Sequence, residues 1–529
     1  MNLQKTGKLI FASGFFVSAI FLSGNSIATA GTVYSQAGDV TSDSVVLWGR
    51  CNAEQDALLT FSLTTHKNLI TDKNINIVRK KSHHVSDKSD YTGSLVFKGL
   101  KPGKQYYYQA TCKPLAQHTK ATVKGKDKGK VKGTLSTFKT ASEPAKAESI
   151  RFVWVADLGG QGWGRNPDLS ITHVDGELIK GGYVVFDSMS KLNPDFALFQ
   201  GDMIYADGAI PVSKDIPADV GDGTWVNNPA KDFVAITLDD FRANWKYNLG
   251  DAKMAHFLAR TPVYVQWDDH EVSNNWYPGE IMPAGAPYFG ISADVLAANA
   301  KQALFEYNPI DGTKLYRSVQ HGKHMELFLL DERSFRDPNP DNYDPDGIEM
   351  LGQEQLAWLK DALVKSKATW KIISTHDPLS IVTGGVDDRD AWSQDDPAVL
   401  GREVQLAEIL KFIKDHDIKN VVYLTSDVHF TAAISYDPSL ATFQEFNPFW
   451  EFVIGPIHAG AFGSGNLDAS FGPQYEYVRA PSTEGIGQNS PPPHLQSFGL
   501  VEISIDGEMT VKLIDITGAV LFEKTMLPL

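Results

Sequence analysis

Cysteine is nearly absent. The 529 residues contain two, Cys51 and Cys112, both near the amino end, which excludes a thiolate metal centre built by the remainder of the chain. Basic charge is scarce as well: 49 Lys and Arg stand against 64 Asp and Glu, a formal balance of −15. That argues against broad capture of nucleic acid or an anionic membrane, because both need a basic footprint. Beyond residue 30 no apolar run approaches the roughly 20 residues of a membrane span. Three catalytic signatures are missing too. The glycine-rich tract 156–164 (ADLGGQGWG) lacks the lysine of a P-loop, and His270-Glu271 is not followed by the second histidine of HExxH. Gly463-Ser464-Gly465 lacks the GxSxG nucleophile elbow. What remains is a chain 42% hydrophobic, with material for two to four globular domains.

The first thirty residues read as a secretory signal peptide. Lys5 and Lys8 precede an apolar run from Leu9 to Leu22, and Ala28-Thr29-Ala30 precedes Gly31. The expectation is a secreted or periplasmic protein cleaved near Ala30. No twin-arginine pair precedes the run, so the general secretion route is the simpler reading, with metals loaded after export. Loss of Lys5 and Lys8 makes the balance 47 − 64 = −17.

From residue 31 to about 145 short alternating runs are separated by turn residues, the pattern of an immunoglobulin-like or fibronectin-like all-β module. Cys51 ends the strand-like run SVVLWGR and Cys112 ends QYYYQAT. In an oxidising compartment they pair by default, and two free buried thiols are the alternative. Six lysines between Lys120 and Lys132 fall where the last hairpin should turn; they read as a solvated tip or as a basic finger for a phosphorylated substrate. Ala141 to Ser149 reads as a linker.

After residue 146 the period changes. Six near-continuous apolar runs appear: Ile150 to Ala156, Phe196 to Gln200, Val263 to Trp267, Leu327 to Leu330, Trp370 to Ile373 and Val421 to Leu424. Strands apolar on both faces belong to an α/β sheet covered by helices; Gln353 to Lys365 and Gly401 to Lys414 are the clearest helical patterns, and a hairpin through Asp506-Gly507 closes the chain. Each run ends near a side chain able to hold a metal or move a proton: Asp157, Asp202, Asp268-Asp269-His270, Asp331, His376-Asp377, and Asp427 with His429. The carboxyl ends of strands line the ligand crevice of such sheets, so six repeats predict one shared metal site. Hard oxygens with a few imidazoles suit Fe, Mn, Zn, Mg or Ca. Asp202, after Gly201, suits a carboxylate bridging two ions, an arrangement that activates water for attack on a phosphate ester.

The segments Gly201-Asp202-Met203-Ile204-Tyr205, Trp267-Asp268-Asp269-His270-Glu271, Leu330-Asp331-Glu332-Arg333 and Ser426-Asp427-Val428-His429 resemble the signatures of the alkaline phosphatase D (PhoD-like) branch of calcineurin-like metallophosphoesterases. The resemblance implies a metallophosphoesterase sandwich of β-sheets flanked by helices over 146–529, preceded by that branch's β domain over 31–145. It implies ferric iron held with Tyr205 and His429, a tyrosine that would otherwise read as a packing residue, and calcium as partner ion near Asp269 and Asp427. Asp157 would open the site and Asp202 bridge it. No cysteine follows the first strand, where many relatives carry a ligand, so Asp157 substitutes or the site takes manganese, zinc or two similar ions. His376 stands at a metal position of the wider superfamily where this branch often has another residue, and both readings stay open. His270 is expected to protonate or stabilise the leaving oxygen. Arg333 is expected to clamp a phosphate oxygen, or else to pair with Asp331 or Glu332.

The expected function is hydrolysis of phosphate mono- and diesters by a metal-activated hydroxide, for phosphate acquisition. A phospholipase D-like or nucleotide phosphodiesterase of the same fold is an alternative, and a metal-stabilised adhesion protein is one from another class. Small phosphate esters are the expected partners of a monomer, with no stable nucleic-acid or membrane partner.

Overall fold

The computed structural model describes residues 33–52, 55–67, 77–115 and 130–529. The expected signal segment and lysines 120–128 lie outside them. The six apolar runs are all strands, Ile150–Val155, Phe196–Phe199, Val263–Val265, Met325–Leu329, Trp370–Ser374 and Val421–Thr425. They do not share one sheet. The first three run parallel at the centre of a nine-stranded sheet, and the last three run parallel, with Phe449–Val453, in a seven-stranded sheet. A single sheet between helical layers is therefore replaced by two sheets face to face.

Side-chain alternation explains the arrangement. Phe152, Trp154, Phe196, Leu198 and Tyr264 point inward to meet Leu327, Leu329, Ile372, Val422 and Leu424 from the other sheet. Their neighbours Val153, Val155, Ala197, Phe199, Val263 and Val265 point outward onto helices Leu238–Leu249 and Ala293–Tyr307. On the opposite side Phe328, Ile373 and Tyr423 meet the helices Gly352–Lys365 and Glu403–Asp415. Both faces of each central strand are thus dry, which is why their sequences show no polar alternation. Two buried glutamines join the sheets where the strands end. Gln200 Nε2 donates to Leu424 O at 2.7 Å, and Gln266 Nε2 donates to Leu330 O at 2.7 Å.

The amino-terminal module is a β-sandwich, and Cys51 bridges its two sheets to Cys112 with Cα atoms 5.7 Å apart. Closing that loop restricts the unfolded chain by about 4 kcal/mol on the entropic account. The module is not a bead on a tether. Its strands Val33–Gly38, Ser44–Cys51 and Thr92–Lys98 extend the nine-stranded sheet, through the parallel pairing of Gly38 with Val263. Trp48 Nε1 donates to Glu306 O at 2.6 Å, and Arg317 binds Asp39 at 2.6 Å. The segment 141–149, expected as a linker, is anchored too: Lys139 and Ser142 both bond Glu148, and Lys323 N donates to Lys146 O at 2.9 Å. Among the described residues no helix is long and apolar enough to cross a membrane.

Candidate metal centre

All six strand ends open at one edge of the sandwich, and the backbone there turns abruptly. Asp157, Asp202, Asp427 and His429 have φ of 61°, 51°, 70° and 58°, the left-handed region that side chains with a Cβ seldom adopt. These turns aim the side chains into one cluster instead of along the strands. Glu271 holds two of the turns together, its carboxylate accepting from the amides of Asp202 and Asp268 at 2.8 Å and of Met203 at 2.9 Å. The backbone of His458 brackets Asp157, donating to its carbonyl at 3.1 Å.

Asp157, Asp202 and His429 offer ligand atoms within 4.8 Å of one another, and so do Asp202, Asp269 and His270. Asp202 is the shared member, as a bridging carboxylate must be. The Tyr205 hydroxyl lies 2.8 Å from His429 Nε2 and 3.5 Å from Asp157 Oδ1. Asp269 and Asp427 form a further group with Asp268. His429 Nδ1 faces the carbonyl of Gly460 at 2.5 Å, which leaves Nε2 toward the cluster.

The fit to cations follows from charge. Asp157 Oδ2 and Asp202 Oδ2 are buried without a hydrogen-bond partner. Burial first, and then the neighbouring carboxylates Asp268 and Asp269, push Asp157, Asp202 and Asp427 far above the usual carboxylate range. Such a cluster holds more negative charge than its surroundings support, and a cation relieves it.

His270 stands at the pocket mouth with Asn274, Asn275, Asp269, Asp427 and His429. Its partner is Asp207, whose two oxygens lie 2.8 and 2.9 Å from Nδ1. Burial opposes the charge on His270, but Asp207 and then Asp269 outweigh it and lift the imidazole to about 10. Asp207 stands two residues after Tyr205 and five after Asp202, yet nothing local marks it as the partner of a ring 63 residues away.

One expected role is corrected. Arg333 has no exposed surface, and its donors bond Asp268 at 2.8 Å, Asp390 at 2.8 Å and Asp377 at 3.2 Å. It is a buried counter-charge whose guanidinium is taken up by these carboxylates, with Asp427 a further 3.8 Å from Nη2, and not a phosphate clamp; its side chain does not pair with Asp331 or Glu332. Asp331 Oδ1 accepts from Trp267 Nε1 at 2.9 Å, from Ser334 N at 3.0 Å and from the backbone amide of Arg333 at 3.3 Å. His376 sits one layer back. Its Nδ1 lies 3.0 Å from Asp268 and 3.3 Å from Glu332, and Nε2 accepts from Glu332 N at 3.3 Å. Its Nδ1 is buried without a hydrogen-bond partner, and Asp268, His376 and Asp377 offer ligand atoms within 4.8 Å of one another, a group joined to that of Asp269 and Asp427 through Asp268. Asp390, which completes the Arg333 set and lines the pocket, follows no central strand and left no signal in the sequence.

Residues 152–513 match the model of PhoD-like phosphatases, and residues 29–127 match that of the PhoD-like phosphatase amino-terminal domain. The chain belongs to the PhoD-like phosphatase family. Alkaline phosphatase D of Bacillus subtilis (strain 168) is 27% identical over 416 residues, spanning 74% of this chain and 63% of that protein. In fold, the solved structure of PhoD superposes with a TM-score of 0.65 at 22% identity, covering 93% of this chain and 88% of that one. Purple acid phosphatase PPD1 from yellow lupin (Lupinus luteus) seeds gives 0.54 at 12% identity, covering 94% and 74%. This member of the PhoD-like phosphatase family shares with them the fold of two facing sheets with helices on both outer faces.

Proposed function

We propose that the chain is an exported, metal-dependent hydrolase of phosphate monoesters and diesters that releases phosphate for uptake. The observation that carries this reading is the convergence of Asp157, Asp202, Tyr205, Asp269, Asp427 and His429 on one mouth, with two carboxylate oxygens buried and unpartnered. Asp157, Asp202, Tyr205 and His429 would hold ferric iron, and Asp202, Asp269 and Asp427 a calcium ion. The place of Asp157, 3.6 Å from His429 Nε2, supports its standing in for the absent cysteine. When bound, such ions neutralise a phosphate ester and lower the pKa of water.

The protein's own groups do the rest. Asp207 orients His270 through Nδ1, so the proton available to a leaving oxygen sits on Nε2. Arg333, by offsetting Asp268, Asp377 and Asp390, holds the wall behind Asp269 and Asp427 in place. The signal-like segment before Ala30 supports export.

The test is a paired assay on a phosphate monoester and a diester, before and after chelation and with each metal restored. Loss of both activities on chelation, and in the Asp202→Ala, His429→Ala double variant, is expected; full diesterase activity in that variant removes the proposal. A visible absorption band lost in Tyr205→Phe supports iron, and terminal sequencing of exported protein locates cleavage.

A further inference from the structure

Arg333 is engaged by carboxylates, and among the described residues no Arg or Lys lines the catalytic pocket. A phosphoryl group there still needs a hydrogen-bond donor for its non-bridging oxygens. Gln161 lines the same pocket and stands on the loop that follows Asp157. Its Oε1 accepts from Gly460 N at 3.0 Å. A backbone N–H can only donate, so that bond fixes which way the amide is turned. The Nε2 end is left to the Tyr205 hydroxyl, which the side chain also faces, and to the pocket. An amide nitrogen carries two hydrogens, enough for the phenol oxygen and a ligand together.

The backbone holds this amide in place. Trp163 N donates to Gly160 O at 2.9 Å, closing a tight turn in which Gln161 and Gly162 have φ of 52° and 80°. Positive φ at both central positions favours Asn, Asp or Gly, and a Gln at the first of them is strained. Gly160 lets the turn lie on Tyr205, since a Cβ there would come within 2.5 Å of that ring. The Gln161 carbonyl accepts from Lys214 Nζ, which lies 3.9 Å over the Trp163 ring. Gly460 closes the frame, for its N–H holds Gln161 and its carbonyl faces His429 Nδ1 at 2.5 Å. One residue therefore orients both the amide and an imidazole of the cluster.

We propose that Gln161 Nε2 donates a hydrogen bond to a non-bridging oxygen of the substrate's phosphoryl group, the task that Arg333 does not perform. The inference rests on the phosphate-ester reading of the pocket. A neutral amide keeps its donor for the substrate, whereas a guanidinium beside so many carboxylates is drawn into ion pairs, as Arg333 is. Fixed through its own Oε1 and its own carbonyl before substrate arrives, the donor needs no reorganisation as charge builds on that oxygen. The strained turn is then the means of bringing a long side chain over the cluster.

The test uses the full chain with its metals in place, assayed on an aryl phosphate monoester with inorganic phosphate as the competing ligand. Gln161→Glu keeps the acceptor for Gly460 N and replaces the donor by a carboxylate oxygen. Gln161→Gly removes the donor and suits the positive φ, so it keeps the turn even if the first variant fails to fold. Both are expected to retain bound metal while kcat/KM falls about 10- to 100-fold, the loss of one hydrogen bond to a charged group, and the inhibition constant of phosphate rises by a similar factor. Wild-type kcat/KM and wild-type phosphate inhibition in Gln161→Gly overturn the proposal. A fall in activity matched by loss of metal overturns it equally, making Gln161 a support of Tyr205. If the wild-type chain with metal restored hydrolyses no phosphate ester, the proposed function fails instead, and calorimetric binding of inorganic phosphate to the same variants still decides the role of Gln161.

Discussion

Arg333 is surrounded by Asp268, Asp377 and Asp390, so removing it strands three buried carboxylates. Arg333→Met is expected to lower stability by about 3–5 kcal/mol, the usual result of breaking a buried ion set from one side. A phosphate clamp would behave otherwise, raising KM while leaving the urea midpoint where it was. Asp207 acts through His270. Asp207→Asn leaves a hydrogen-bonding group but removes the charge that holds the ring, and kcat is expected to fall about 10²-fold with KM and bound metal unchanged. Loss of metal in that variant would make Asp207 a support of the centre and not a positioning residue for His270.

Among the elements, the turn after Phe196–Phe199 carries a tight constraint at the centre itself. Gly201 has φ of 115°, and a Cβ there would lie 2.4 Å from Asp268 Cβ and 2.6 Å from Asp268 N. No side-chain rotation relieves an overlap with backbone. Gly201→Ala is therefore expected to cost about 2 kcal/mol or more and to displace Asp202 and Asp268 together, so metal content and thermal midpoint should fall in parallel. Gly507, in the closing hairpin, makes the contrast. A Cβ there would meet only the ring of His324, far from the centre, and a change would touch stability alone.

For the whole molecule, the joint between module and catalytic core contributes to the response to acid. His321 lies on an edge strand of the second sheet, 2.8 Å from the Tyr264 hydroxyl of the first. Burial, with the charge of Lys139 second, lowers its pKa from 6.5 to about 3. The fold thus favours the neutral ring, so this contribution is in place above pH 6.5 and is lost as the pH falls toward 3. His321→Gln is expected to be less stable at neutral pH and to lose less on acidification between pH 6 and 4. Thermal midpoints across that range check it, and a slope equal to wild type contradicts it.

The chain's own order of residues determined the strands and the chemistry at their ends. Apolar runs dry on both faces leave no polar alternation, and Asp or His just beyond a strand must emerge at its carboxyl edge whichever sheet it joins. Asp157, Asp202, Tyr205, Asp269, Asp427 and His429 were legible for that reason, with the family's motifs sharpening Tyr205. Proximity decided the rest. The division of six strands between two sheets depends on which faces interlock, which no single strand encodes. Arg333 became a counter-charge because Asp390, 57 residues away, folds back beside it. His376 and Asp207 found their roles in the same manner.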